Sequence, residues 1–153
     1  MIPIRTADAF LISFFRKLAL PLSRAGLFTV FFWFGILKVF GLSPASELVR
    51  SLFEKTIPVM DFSVFLVAFG LFECLIGILF VVPRMERVVM PLLFFHMATT
   101  FMPLVFLPQE TWSGFLAPTL EGQYIIKNLL LIASAAGIFG HLSIMSVKRK
   151  SGA

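Results

Sequence analysis

The sequence predicts an all-α membrane protein, a four-transmembrane-helix bundle with an N-terminal interfacial helix and a short external amphipathic helix. Three observations carry this expectation. Of 153 residues, 59% are hydrophobic and 14% charged, and a mean hydropathy of +0.98 means more apolar surface than a soluble domain of this size hides. Four mostly apolar windows, 23–41, 62–82, 88–107 and 122–142, are each long enough to cross a hydrocarbon core of ~30 Å at ~1.5 Å per residue. None alternates with period two, so the spans are expected to be helices, which satisfy their own backbone amides where lipid offers no partner. Residues 1–153 read as one domain.

The elements follow in chain order. Across 8–20, Phe10, Leu11, Phe14, Phe15 and Leu18 share one helical face, with Ser13, Arg16 and Lys17 beside it. That pattern fits a helix lying in the cytoplasmic leaflet, which Pro21 separates from the first span. The charges at Arg16 and Lys17 follow the apolar residues, and no small-residue cleavage site comes after them, so a signal peptide is not expected. Between the first two spans, Pro44 to Ile57 reads as an amphipathic helix capped by Ser43, with Leu48, Val49 and Leu52 on one stripe and Arg50 one turn before Glu54. Pro108 to Glu121 reads as a second connection on the same side. Its Trp112 and Phe115 suit the headgroup level, and Thr119 is placed to start the last helix. Pro91 and Pro103 predict a kink near the middle of the third span, with Thr99 and Thr100 satisfying freed carbonyls.

Basic residues set the expected orientation, because Lys and Arg near helix ends stay cytoplasmic. Arg5, Arg16, Lys17, Arg24, Arg84, Arg87, Lys148, Arg149 and Lys150 fall on one side, against Arg50 and Lys55 on the other. Both termini are therefore expected in the cytoplasm. The net charge of +5 is topological, and because its residues are divided among helix ends it does not form a nucleic-acid surface.

Ionisable groups inside apolar windows mark the working part of a membrane protein. Lys38, Glu73 and Lys127 are such groups. Placed by depth, Glu73 and His96 lie near the midplane and the two lysines lie about 8 Å outward, a gap that a lysine stem covers. On the last helix Gln123, Lys127, Ser134 and His141 make a polar stripe expected to face inward. The expected polar core or ligand pocket thus comprises Lys38, Glu73, Lys127, Asn128, Gln123 and His96. Gly35, Gly70 and Gly77 flank it and are expected to let helices approach closely, as are Ala133 with Gly137 and Ala136 with Gly140. Two readings of the charged trio stand: an ionic staple that fixes helix register, or a small polar pocket for an anionic or quinone-type ligand.

Other chemistries have little to stand on. His96 and His141 are roughly 11 Å apart along the membrane normal, too far to share a metal or a haem, and no metal is expected. Cys74 is the single cysteine, so a two-cysteine thiol relay is excluded. Met90, Met97 and Met102 do not share one stripe and read as packing. There is no nucleotide-binding loop.

Four runs in order resemble a known family: Phe32, Trp33, Phe34, Gly35, Ile36, Leu37 and Lys38; then Gly70, Leu71, Phe72, Glu73, Cys74, Leu75, Ile76 and Gly77; then Pro108, Gln109, Glu110, Thr111 and Trp112; finally Gly122, Gln123, Tyr124, Ile125, Ile126, Lys127 and Asn128. Together they resemble the DoxX-like superfamily, and within it the YkgB-like branch that includes reactive-chlorine-resistance membrane proteins. The chain departs from that pattern at Asn128, where an acidic residue is expected, and in a shorter first external connection. The resemblance implies a bacterial inner-membrane four-helix protein linked to oxidative or sulfur redox stress. A quinone-binding subunit working with a separate redox protein is one expectation. A non-catalytic scaffold, or an oligomeric transporter of a small anion or proton, is the other.

Overall fold

The computed structural model describes the backbone of residues 4–151 and the side chains of residues 7–141. The side chains of Arg5, Lys148, Arg149 and Lys150, four of the basic groups that set the expected orientation, lie outside the described residues. Four helices are long and apolar enough to cross a membrane: Ala7–Val39, Phe62–Val81, Glu86–Phe106 and Leu120–His141. The chain is an all-α membrane protein apart from one small hairpin. The element order is α1 Ile4–Val39, α2 Ser46–Thr56, α3 Phe62–Val81, α4 Glu86–Phe101, α5 Pro103–Phe106, α6 Pro108–Thr111, β1 Trp112–Gly114, β2 Ala117–Pro118, α7 Leu120–Lys127 and α8 Leu129–Ser151.

The four crossings agree with the windows expected from hydropathy, but the entry to the first does not. A separate helix over 8–20 is not present: α1 runs unbroken for 36 residues with Pro21 inside it, about 54 Å. Proline removes one backbone donor and the helix absorbs that single loss here. Phe10, Leu11, Phe14 and Phe15 all remain exposed on this N-terminal stretch. The third span has no break mid-way: α4 ends at Phe101 and Pro103 starts α5, with Met102 between them in helical conformation. Thr99 and Thr100 hydroxyls both donate to the His96 carbonyl, at 2.7 and 2.9 Å. α2 begins at Ser46 instead of Pro44, because Ser43 turns its hydroxyl to the Ala45 amide and its carbonyl to Ser46.

Local chemistry explains the well-formed ends. Asp61 caps α3, accepting from the amides of Ser63 and Val64. The hydroxyl of Ser63 also donates to it, and this bond with those amides holds its carboxyl below the usual value. Thr119 caps α7 through the Gly122 amide. The turn that closes α1 reaches Gly41, whose φ of +68° suits a residue without a Cβ. The antiparallel pair Trp112–Gly114 and Ala117–Pro118 lies in the connection between the third and fourth crossings, where no alternating pattern foretells a strand.

α1 and α3 form the closest pair in the bundle, and glycine is the reason. A Cβ on Gly35 would lie 2.6 Å from the Gly70 carbonyl oxygen and 2.8 Å from Cys74 Sγ; a Cβ on Gly77 would lie 2.9 Å from the Phe32 amide nitrogen. The other two spans close over this seam. Leu27, Phe31, Ile76, Phe80, Val89 and Leu93 form a core exposed by at most 2%. Because backbone stands opposite it, Gly35 has no flexible neighbour to give way. Gly35→Ala is expected to lower stability by about 1–3 kcal/mol, measurable as reduced resistance to denaturant in detergent micelles. By contrast Gly137→Ala, where an added Cβ meets nothing within 4 Å, is expected to leave the midpoint unchanged.

Candidate functional site

Three ionisable side chains from three helices meet inside the bundle. Lys38 stands in the last turn of α1, where a cation is favoured by the exposed carbonyls of the helix end. Its Nζ donates to Glu73 Oε2 at 2.6 Å. The other carboxylate oxygen of Glu73, on α3, faces His96 Nε2 on α4 at 3.4 Å, and Thr100 Oγ1 approaches the same nitrogen at 3.5 Å. Lys38 and Glu73 are each 6% exposed and His96 3%. An ion pair this enclosed is stable only when both partners are present, since removing one leaves an uncompensated charge in low dielectric.

Packing fixes the geometry. Gly70 stands opposite Lys38 across the seam, so close that a Cβ on it would lie 2.9 Å from Lys38 Cβ. Without that approach the lysine stem would not reach Glu73. Phenylalanine rings wall the imidazole on several sides: Phe69 at 5.2 Å, Phe31 at 5.4 Å and Phe72 at 6.2 Å between centroids. Lys38 Nζ also lies 5.6 Å from the Phe69 ring centroid, a cation over an aromatic face. One atom in this shell is unsatisfied. His96 Nδ1 is buried with no hydrogen-bond partner, a condition rare enough in folded proteins to call for a reason.

The structure corrects the expected membership of this cluster. Lys127 does not join it: the side chain is exposed, with Nζ 5.2 Å from the Tyr124 ring centroid. Tyr124 is one turn nearer the α2 end, so the long stem carries the charge toward that surface of the span. Gln123 is exposed as well, and Asn128 is half-buried. Asn128 marks the junction of α7 and α8, where its carbonyl accepts from the Leu131 and Ile132 amides. The last crossing buries Gly122, Ile125, Ala135 and Ile138. Gln123, Lys127 and His141 are exposed and Ser134 is half-buried, so the expected inward polar stripe is not formed.

Two polar contacts escaped the sequence reading. Arg24 pairs with Glu86 and donates to the Phe80 carbonyl at 3.1 Å, tying α1 to both ends of the α3 to α4 turn. Opposite charges at the starts of the first and third apolar windows, on the same side of the bundle, were the available signal. Lys55 Nζ donates to the Phe106 carbonyl at 2.6 Å, and no signal pointed to that backbone atom. Among the described residues no group of three or more His, Cys, Asp and Glu side chains is placed to hold a metal ion.

Chemically, the cluster combines an ammonium with protons beyond the one Glu73 accepts, a carboxylate, and an imidazole with one free nitrogen. Such a set can exchange a proton internally or hydrogen-bond a small molecule that brings an oxygen acceptor for Lys38 and a donor for the lone pair of His96 Nδ1. No protein-family model matches the chain, and neither a curated protein nor a solved structure is detectably similar to it. The two lysines separate cleanly by experiment: Lys38→Met is expected to destabilise the fold by about 3–5 kcal/mol because Glu73 is stranded. Lys127→Met is expected to stay within about 0.5 kcal/mol of the parent, with chemical denaturation of the micellar protein as the measurement.

Proposed function

We propose that this chain is a small bacterial inner-membrane protein of redox-stress resistance, in which Lys38, Glu73 and His96 bind a quinone-like or other small hydrogen-bonding molecule for a separate redox partner protein. The single observation that carries the reading is the buried, unpartnered His96 Nδ1 beside a complete Lys38–Glu73 pair. Polar groups this deep in a span are costly and mark functional centres by default. The four-run resemblance to the DoxX-like superfamily, YkgB-like branch, supplies the link to oxidative, reactive-chlorine and sulfur stress. The distribution of Lys and Arg supports cytoplasmic termini. Exposed Ala133, Ala136 and Gly137 on the last crossing suit close packing against a second copy.

A second reading is favoured by one specific observation, the short 2.6 Å contact between Lys38 and Glu73. A pair so complete also serves as a staple that sets the register of α1 on α3, and the protein would then be a non-catalytic scaffold. The two readings part on binding. Purified in nanodiscs, the protein is expected to yield an extractable small molecule or to bind an added short-tailed quinone, seen as a saturable change in the ultraviolet spectrum. Glu73→Gln and His96→Gln are expected to weaken that binding at least about tenfold, the factor for one lost interaction of ~1.4 kcal/mol, while Lys127→Met retains it. Folded variants with no binding in any form, parent included, would leave the staple.

A further inference from the structure

The triad lies between two unequal barriers. Toward the α3 to α4 turn it is sealed by Leu27, Ile76, Phe80, Val89 and Leu93, all exposed by at most 2%, and by the Arg24 to Glu86 pair beneath them. Toward the other end α1 stops early. Its last residues pack beside Gly70, which follows Phe62, the first residue of α3, by about 12 Å at 1.5 Å per residue. Beyond that level α3 stands without α1, and the chain returns as α2, which packs on α3 and α5.

α2 is built to be held lightly. Its outer face carries exposed Glu47, Glu54 and Lys55, so displacement leaves those charges where they are already wet, while Arg50, also exposed, sets its guanidinium 4.1 Å from the Phe62 ring centroid and adds one tie to α3. Only Phe53 is buried, with its ring 4.7 Å from Phe65 and 5.7 Å from Phe62. The Lys55 ammonium on the Phe106 carbonyl pins the helix to α5. A left-handed glycine, Gly41, precedes α2, and the Ile57 to Pro58 turn follows it, giving a flexible joint at one side and a helix stop at the other. Below Phe53 the rings continue without a gap: Phe65 to Phe69 at 5.7 Å and Phe69 to His96 at 5.2 Å. Phe69 is therefore the side chain between α2 and the triad, in contact with both Lys38 and His96.

We propose that α2 is a lid over the triad, and that the small molecule served by Lys38 and His96 arrives from water at the α2 end of the bundle, past Phe53 and Phe69. This rests on the reading of the triad as a binding centre. The class of solute follows from the charges. Lys38 and Glu73 neutralise each other, so an added ion would leave net charge in a dry site. The solute is an uncharged, water-borne molecule with an oxygen acceptor for the spare Lys38 protons and a hydroxyl or N–H donor for His96 Nδ1, which keeps its lone pair while Nε2–H faces the Glu73 carboxylate. A long-tailed, lipid-borne molecule entering between helices is the alternative.

The experiment reads access and not binding, so it stands or falls apart from the quinone assay. Phe69→Cys is introduced with Cys74→Ser and labelled in sealed, oriented vesicles by a charged, membrane-impermeant methanethiosulfonate. Ser113→Cys in the hairpin and Arg84→Cys in the α3 to α4 turn mark the two faces. Labelling of Phe69→Cys is expected only from the face that labels Ser113→Cys. Adding Lys55→Ala is expected to accelerate it about fivefold, the factor for one lost hydrogen bond of ~1 kcal/mol. Labelling from the Arg84 face, no labelling from either, or a rate indifferent to Lys55→Ala overturns the proposal. Hydrogen exchange on the unaltered chain guards against a misfolded variant: α2 amides are expected to exchange faster than α3 amides around Glu73, and equal protection overturns the lid.

Discussion

A charge cannot stay alone in hydrocarbon, and the interior of this bundle is organised around that constraint. Lys38 and Glu73 come from different helices and satisfy each other at 2.6 Å. Their pairing demands that α1 and α3 lie close and in one register, since a one-residue slide would turn either group toward lipid. Burial follows the pair. The phenylalanines around it exclude water, and exclusion of water is what makes breaking the pair expensive.

Glycine makes the pairing geometrically available. Gly35 and Gly70 face each other backbone to backbone, and Gly77 admits the Phe32 amide further along the same seam. Small residues let membrane helices approach where hydrophobic attraction between them is weak, so dispersion and polar contacts decide. α1 comes to an end beside Gly70, and the space above that end is where α2 and its Phe53 come to rest. A site near the middle of the span thus has one thick wall and one thin one, with His96 between them carrying a nitrogen that no protein atom satisfies.

Hydropathy made the four crossings legible, because length and composition alone decide whether a helix suits lipid. The cost of buried charge made Lys38 and Glu73 legible as a pair. Lys127 was assigned to the same cluster on the assumption that a polar residue in a span turns inward. That assumption fails for a lysine a few turns from the end, whose stem reaches toward the surface over Tyr124. Gln123 and Lys127 are already exposed on α7, ahead of the junction, and Ser134 and His141 lie beyond it on α8, so one stripe counted through Asn128 does not describe both helices. Depth alone brings His96 level with Glu73, which it faces at 3.4 Å, but its aromatic surroundings are invisible among 20 phenylalanines whose partners depend on tertiary packing. Pro21 is expected to break α1 because proline usually ends a helix; the helix instead runs through it, giving up one backbone donor.

The central claim is that Lys38 and Glu73 stabilise each other inside the bundle, and a double-mutant cycle measures that mutual dependence directly. Unfolding free energies of the parent, Lys38→Met, Glu73→Gln and the combined variant are compared in bilayer-like micelles. A coupling of at least about 1.5 kcal/mol is predicted, with the combined variant more stable than Lys38→Met alone. Additive effects of the two substitutions, with coupling near zero, would contradict the account.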